Sequence, residues 1–234
     1  MTMILVDITG AAWTIVYINA IWVGFRQRTF AMPLVALALN FAWELTYSAV
    51  DLRTAVTVPS TTNTAWAVVE IVWALFDVVV VATFFRFGRA EFPSLSKRMF
   101  TAAAMLAFAV SLAVQWLFIA EFGAQVAVRY SAFLQTVVMS WTFIAMFVGR
   151  RGLRGQTVTI AVGKWIGTLA ATILYGVVEP SSFILGLGIV CCVLDLVYIG
   201  LVVRAKRSPA GFTTSRMPEP VQLPERVPDV SAAS

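Results

Sequence analysis

Phe30-Ala31-Met32-Pro33-Leu34-Val35-Ala36-Leu37-Ala38-Leu39-Asn40-Phe41-Ala42-Trp43-Glu44-Leu45-Thr46-Tyr47-Ser48-Ala49-Val50 is the stretch on which the fold turns. It is long enough to cross a bilayer as a helix, which takes about 20 apolar residues. Yet it holds Glu44 well inside. Glu70, Asp77 and Asp195 lie in similar stretches, and none has a Lys or Arg within one turn of its own helix. A carboxylate in hydrocarbon is kept only where it is paired, hydrated or protonated for a purpose. Four of them point to a buried polar site that handles protons.

The rest of the chain agrees with a membrane setting. Of its 234 residues, 60% are hydrophobic and 12% are charged. Apolar runs predict seven spans, at about 8–25, 30–50, 65–87, 99–120, 126–148, 157–178 and 181–203. The expected fold is therefore an all-α, seven-helix transmembrane bundle occupying residues 1–207. Residues 208–234 are rich in Pro, Ser, Glu and Arg, and are expected to form a disordered cytoplasmic tail. The segment Leu52 to Asn63 is expected to be the longest outer loop.

Charge sets the expected orientation. With seven spans, 14 of the 17 basic residues fall on one side, in the groups Arg26–Arg28, Arg86–Arg98, Arg150–Arg154 and Arg204 onward. Arg53 and Arg129 fall on the other, and Lys164 lies within the sixth span, where it is expected to snorkel toward the inner end. The positive-inside rule puts the N-terminus outside and the C-terminus in the cytoplasm. No basic residue precedes Arg26, so the first span does not read as a cleaved signal peptide. Basic inner loops beside anionic lipid account for the net charge of +5 without nucleic acid. The chain has no histidine, which removes most haem, zinc and imidazole chemistry. The adjacent Cys191 and Cys192 read as reduced packing residues.

Helical spacing brings polar residues onto shared faces. Asn40, Glu44, Tyr47 and Asp51 follow an i, i+4, i+7, i+11 pattern, and so do Trp66, Glu70, Trp73 and Asp77. Asp195 and Tyr198 share a face of the last span. Ser111, Gln115, Gln135, Trp141, Thr168, Thr172 and Tyr175 add to the polar and aromatic set. On helical rise, Glu44 and Glu70 lie roughly 8–9 Å below the outer helix ends, and Asp77 and Asp195 roughly 18–21 Å below. That spacing suggests an upper acid pair and a lower one. Trp43 and Trp73 are expected to line the pocket, while Trp13, Trp22 and Trp165 read as interfacial belt residues.

A carboxyl group kept neutral in an apolar site can give its proton to a weak base. Alkenes and epoxides are such bases, and protonating one makes a carbocation. Aromatic faces stabilise a cation without attacking it, provided water is excluded.

The segment Asn40-Phe41-Ala42-Trp43-Glu44-Leu45-Thr46-Tyr47, with its Asn-x-x-Trp-Glu pattern, resembles the integral-membrane terpene cyclases of meroterpenoid and indole-diterpenoid biosynthesis, of the pyripyropene-pathway type. Trp73-Ala74-Leu75-Phe76-Asp77 and Asp195 support the likeness, which covers about residues 8–203. The resemblance implies proton-initiated cyclisation of the prenyl chain of a prenylated aromatic, indole or polyketide substrate. It implies Glu44 and Asp195 as the essential acids. Asp77, Glu70 and Asn40 would then be relay candidates, and Trp43, Tyr47, Trp73 and Tyr198 the cation-binding surface. No cofactor and no metal are expected, because the aspartate motifs that hold magnesium in soluble cyclases and in membrane prenyltransferases are absent. The expected partners are a lipophilic prenylated substrate and membrane lipid, with no nucleic acid and no obligate protein partner. The short termini suit a bacterial member in a bacterial plasma membrane. The competing class is a proton-coupled small-molecule transporter, since intramembrane acids also serve as relays there. A retinal photoreceptor is excluded by the lack of a Lys between Ser181 and Val203.

Overall fold

The computed structural model describes residues 2–208, so the expected tail lies outside the described residues. They form seven long helices and no strand: α1 (Thr2–Gln27), α2 (Leu34–Thr57), α3 (Thr61–Phe87), α4 (Lys97–Phe122), α5 (Ala124–Arg150), α6 (Val158–Thr172) and α7 (Ser182–Arg207). A 3₁₀ turn, Gly88–Glu91, follows α3, and α6 runs into a π-helical stretch, Ile173–Val178. Ser60, Ser96, Thr157 and Ser181 cap four helix starts by accepting the N–H three residues on. Six helices are long and apolar enough to cross a membrane. The exception is α2, whose length is similar but whose middle carries Asn40, Glu44, Tyr47 and Ser48, all buried.

The side-chain distribution is inverted relative to a water-soluble bundle. Leu75, Leu106, Trp116, Leu117, Trp141 and Val193 face outward, whereas Asp77, Gln115, Ser140, Lys164 and Asp195 are buried. Exposed apolar faces on this scale suit a lipid surround. Trp141 was expected on the polar interior face of α5 and instead stands 63% exposed on the opposite face.

Helix order follows from which faces are small. Helix α1 packs between α3 and α6; α2 packs on α3, α4 and α5; α7 packs on α5 and α6. The α1–α6 seam is close because Gly163 and Gly167 sit one turn apart. A Cβ at either position would come within 2.8 Å of Val16 or Trp13. Trp13 therefore packs in this seam, and Trp165 donates to Cys192 Sγ at 3.3 Å, so neither is a simple belt residue. Cys191 and Cys192 are both free thiols.

One further expectation needs correction. The segment Leu52 to Asn63, expected as the longest outer loop, is mostly helix, and only residues 58–60 separate α2 from α3. Thr54 and Thr57 bond back to the carbonyls of Val50 and Arg53, which satisfies their hydroxyls within the helix. At the other end, a clasp joins three connections. Arg150 donates to both oxygens of Glu91 at 2.8 and 3.0 Å and to the carbonyl of Phe30 at 3.0 Å. Thr29 donates to Glu91 at 2.6 Å.

Gly155 is built into this clasp. Its φ is +72°, and a Cβ there would stand 2.5 Å from both Phe30 O and Arg150 Nη1. Gly155→Ala is expected to lower stability by about 2–3 kcal/mol through strain and displacement of Arg150. Gly149→Ala, where a Cβ meets nothing within 4 Å, serves as the neutral control. Thermal unfolding in detergent reads both.

Candidate functional site

Three helices build the first polar cluster. From α2, Asn40 and Glu44 project inward one turn apart, with relative exposures of 7% and 4%. From α3 come Glu70 and Asp77, at 6% and 0%. From α1 comes Tyr17, which the sequence reading did not select. Its hydroxyl donates to Glu44 Oε1 at 3.0 Å and accepts from Asn40 Nδ2 at 2.6 Å. The same Asn40 amide donates to Asp77 Oδ2 at 2.7 Å. The Glu44 and Glu70 carboxyl groups lie within hydrogen-bonding range of each other.

This geometry orients Glu44. The Tyr17 O–H occupies Oε1, which makes that oxygen the acceptor and leaves Oε2 as the place for an acidic proton. Glu44 Oε2, Glu70 Oε2 and Asp77 Oδ1 are buried and have no donor among the described residues. Two carboxyl groups in contact away from water cannot both stay charged at modest cost, so at least one proton belongs in the cluster.

The expected aromatic neighbours are placed with varying success. Tyr47 is buried, 3.4 Å from Ser131 Oγ, with its ring 5.0 Å from that of Trp43. Trp43 donates to the Val128 carbonyl at 3.0 Å, and Trp73 to Thr14 Oγ1 at 3.1 Å. Both indole N–H groups are thus satisfied, which fixes the rings in the walls. Trp66 is 39% exposed and lies outside the cluster, and Asp51 is only partly buried. Gln115 donates to Gln135 at 3.4 Å and ties α4 to α5. At a helix end, Arg129 pairs with Glu179 and lies 4.6 Å over the Tyr175 ring.

The lower acid pair does not form as expected. Asp77 joins the upper group through Asn40, which spans the difference in depth. Asp195 instead accepts from Lys164 Nζ at 2.6 Å, and the same ammonium donates to Ser140 at 2.6 Å. Lys164 and Asp195 each have side chains only 1% exposed, so Lys164 does not snorkel. Its partner lies on the neighbouring helix α7. Tyr198 is fully buried with its ring 5.4 Å from Phe143, and its hydroxyl has no partner among the described residues. No sequence spacing flags Lys164 or Tyr17 as partners; an intramembrane Lys and an intramembrane Tyr were the available signals.

Tyr17→Phe removes the donor to Glu44 and an acceptor from Asn40. It is expected to cost about 1–3 kcal/mol of stability, while Trp141→Phe, on the exposed face, leaves stability unchanged; chemical unfolding in detergent measures both.

Comparison with known proteins follows the same outline. The family model described as Pyr4-like transmembrane terpene cyclases matches residues 1–208. Terpene cyclase pyr4 of Aspergillus fumigatus is 25% identical, with 85% of this chain and 84% of that protein covered. The Pyr4-family terpene cyclase mfmH of Annulohypoxylon moriforme is 26% identical over 73% of this chain and 68% of its own. Terpene cyclase macJ of Penicillium terrestre is 28% identical over 70% of this chain and 62% of its own. No solved structure matches. These relatives are fungal, and they give no support to the expected bacterial source or bacterial plasma membrane.

Proposed function

We propose a metal-free, proton-initiated cyclisation for this chain, which belongs to the Pyr4-like transmembrane terpene cyclases. Membership makes it an integral-membrane enzyme and a terpene cyclase, and decides between the cyclase and the transporter weighed from the sequence. The proposed substrate is a lipophilic prenylated aromatic, indole or polyketide compound that enters from the membrane.

Glu44 is the proposed general acid. Its Oε–H bond breaks as the proton adds to the terminal alkene carbon, or to an epoxide oxygen whose C–O bond then opens. The residual carboxylate keeps the Tyr17 hydrogen bond, and the cation closes rings along the prenyl chain. Glu70 and Asp77, held by contact with Glu44 and by Asn40, are the proposed relay that returns a proton. Trp43, Tyr47, Trp73 and Tyr198 are the proposed cation-stabilising faces. The observation that carries this reading is the burial of Glu44 with one oxygen fixed by Tyr17.

The test is conversion of farnesylated and geranylgeranylated aromatic and indole compounds, with and without a terminal epoxide, into isomers of equal mass. Glu44→Gln keeps shape and removes the proton, and is expected to cut isomer formation at least ~100-fold. Undiminished conversion by this variant would show that the donor lies elsewhere.

The seven-span topology with N-terminus outside and C-terminus in the cytoplasm is part of the same proposal. It is supported by the charge asymmetry and by the packing of α2 against three apolar helices. Single-cysteine labels at the two ends, in a Cys191→Ala/Cys192→Ala background, are expected to react from opposite faces of sealed vesicles. Labelling of both ends from one face would require an even number of spans.

A further inference from the structure

The proton-donor step leaves one built feature unused: the buried ion pair where α5, α6 and α7 meet. Lys164 Nζ donates to Asp195 Oδ1 and to Ser140 Oγ, both at 2.6 Å. Asp195 Oδ2 has no partner among the described residues. Two further buried oxygens on the same two helices are also unpartnered, on opposite sides of the pair: Tyr198 Oη, one turn along α7 from Asp195, and Thr168 Oγ1, one turn along α6 from Lys164. Buried polar groups are normally satisfied, so Asp195 Oδ2 is the oxygen of the ion pair left open to another partner.

Charge assigns the role. An aspartate whose oxygen takes a 2.6 Å hydrogen bond from an ammonium is held as an anion. Such a group is a poor proton donor, but it is a favourable neighbour for a carbocation and a competent base. We infer that Lys164 is a positioning residue that holds Asp195 ionised, and that the free Asp195 Oδ2 faces the cationic chain and accepts the proton that ends the cyclisation. In that step a C–H bond next to the cationic carbon breaks, its electron pair forms the new alkene, and the proton moves to Asp195 Oδ2. Glu44 has lost one proton and Asp195 has gained one, so exchange with solvent resets both, and the product is an isomer of the substrate. The inference rests on the cyclase reading above and divides its two acids into a donor and an acceptor.

The experiment uses the full chain in membranes, with the same prenylated indole and aromatic probes, and reads the product set as well as the rate. Lys164→Arg keeps a positive charge beside Asp195, and is expected to retain the wild-type product ratio at a rate within about tenfold. Asp195→Asn and the neutral pair Lys164→Met/Asp195→Asn are expected to consume substrate at least ~100-fold more slowly. Their products are expected to shift to hydrated compounds and other alkene isomers, because the cation forms but loses its base. The double variant removes both charges together and avoids the lone buried charge of a single change, so thermal unfolding verifies that it folds.

Wild-type product ratios from the double variant would overturn the inference and leave the pair a structural strut. Folded Asp195→Asn that takes up no solvent deuterium into an alkene probe would also overturn it, by making Asp195 a donor. Wild-type protein that converts no probe would instead overturn the parent reading, a result separable from the first two because they require an active wild type.

Discussion

Hydrocarbon outside and carboxyl groups inside set the terms of this fold. Lipid offers no hydrogen bonds, so polar side chains within the bundle are held chiefly by partners inside it. Asn40 meets that demand for three helices at once, donating to Tyr17 of α1 and Asp77 of α3 from its place on α2. The α1–α2–α3 arrangement is thereby pinned by polar contacts, while Leu, Val, Ile and Trp on the outer faces meet the membrane. Helix α2 has the least need of lipid and the most polar neighbours, which explains its place against α3, α4 and α5.

Two polar centres with different chemistry result. Around Glu44 the partners are neutral donors and other carboxyl groups, the setting in which the proposed acid would keep its proton. Around Asp195 the partner is an ammonium, so a buried ion pair sits there. In the proposed reaction a cation is formed at one acid and quenched at the other, and water must be kept out because it would intercept it. The clasp of Arg150, Glu91, Thr29 and Phe30 closes one end of the bundle and ties three connections together without adding a reacting group.

Much of this is legible in the sequence because the period of a helix is short. The apolar runs give seven helices, and the i, i+4, i+7 spacing gives the inward faces of Asn40, Glu44 and Tyr47, and of Glu70, Trp73 and Asp77. Partnerships across helices are not periodic. Tyr17 and Glu44 are 27 residues apart, and Lys164 and Asp195 are 31 apart, so their meeting depends on which helices adjoin. That order is set by small residues such as Gly163 and Gly167, whose effect is visible only once α1 is packed against them. Lys164 illustrates the difference: its position predicts snorkelling, but flush packing of α6 brings an aspartate within its reach. The end of α2 shows the local version, where a Thr-rich, polar composition suggests a loop and the chain stays helical to Thr57, its threonine hydroxyls satisfied by the helix's own carbonyls.

The central claim is that Glu44 carries the acid proton in the resting enzyme. Infrared spectra of purified protein in detergent, compared with those of Glu44→Gln in ordinary and heavy water, test it without knowledge of the substrate. The account predicts a protonated-carboxyl stretch that shifts in heavy water and is lost or reduced in Glu44→Gln while the amide bands stay the same. An identical carboxyl band in the variant would place the proton on another group and contradict the account.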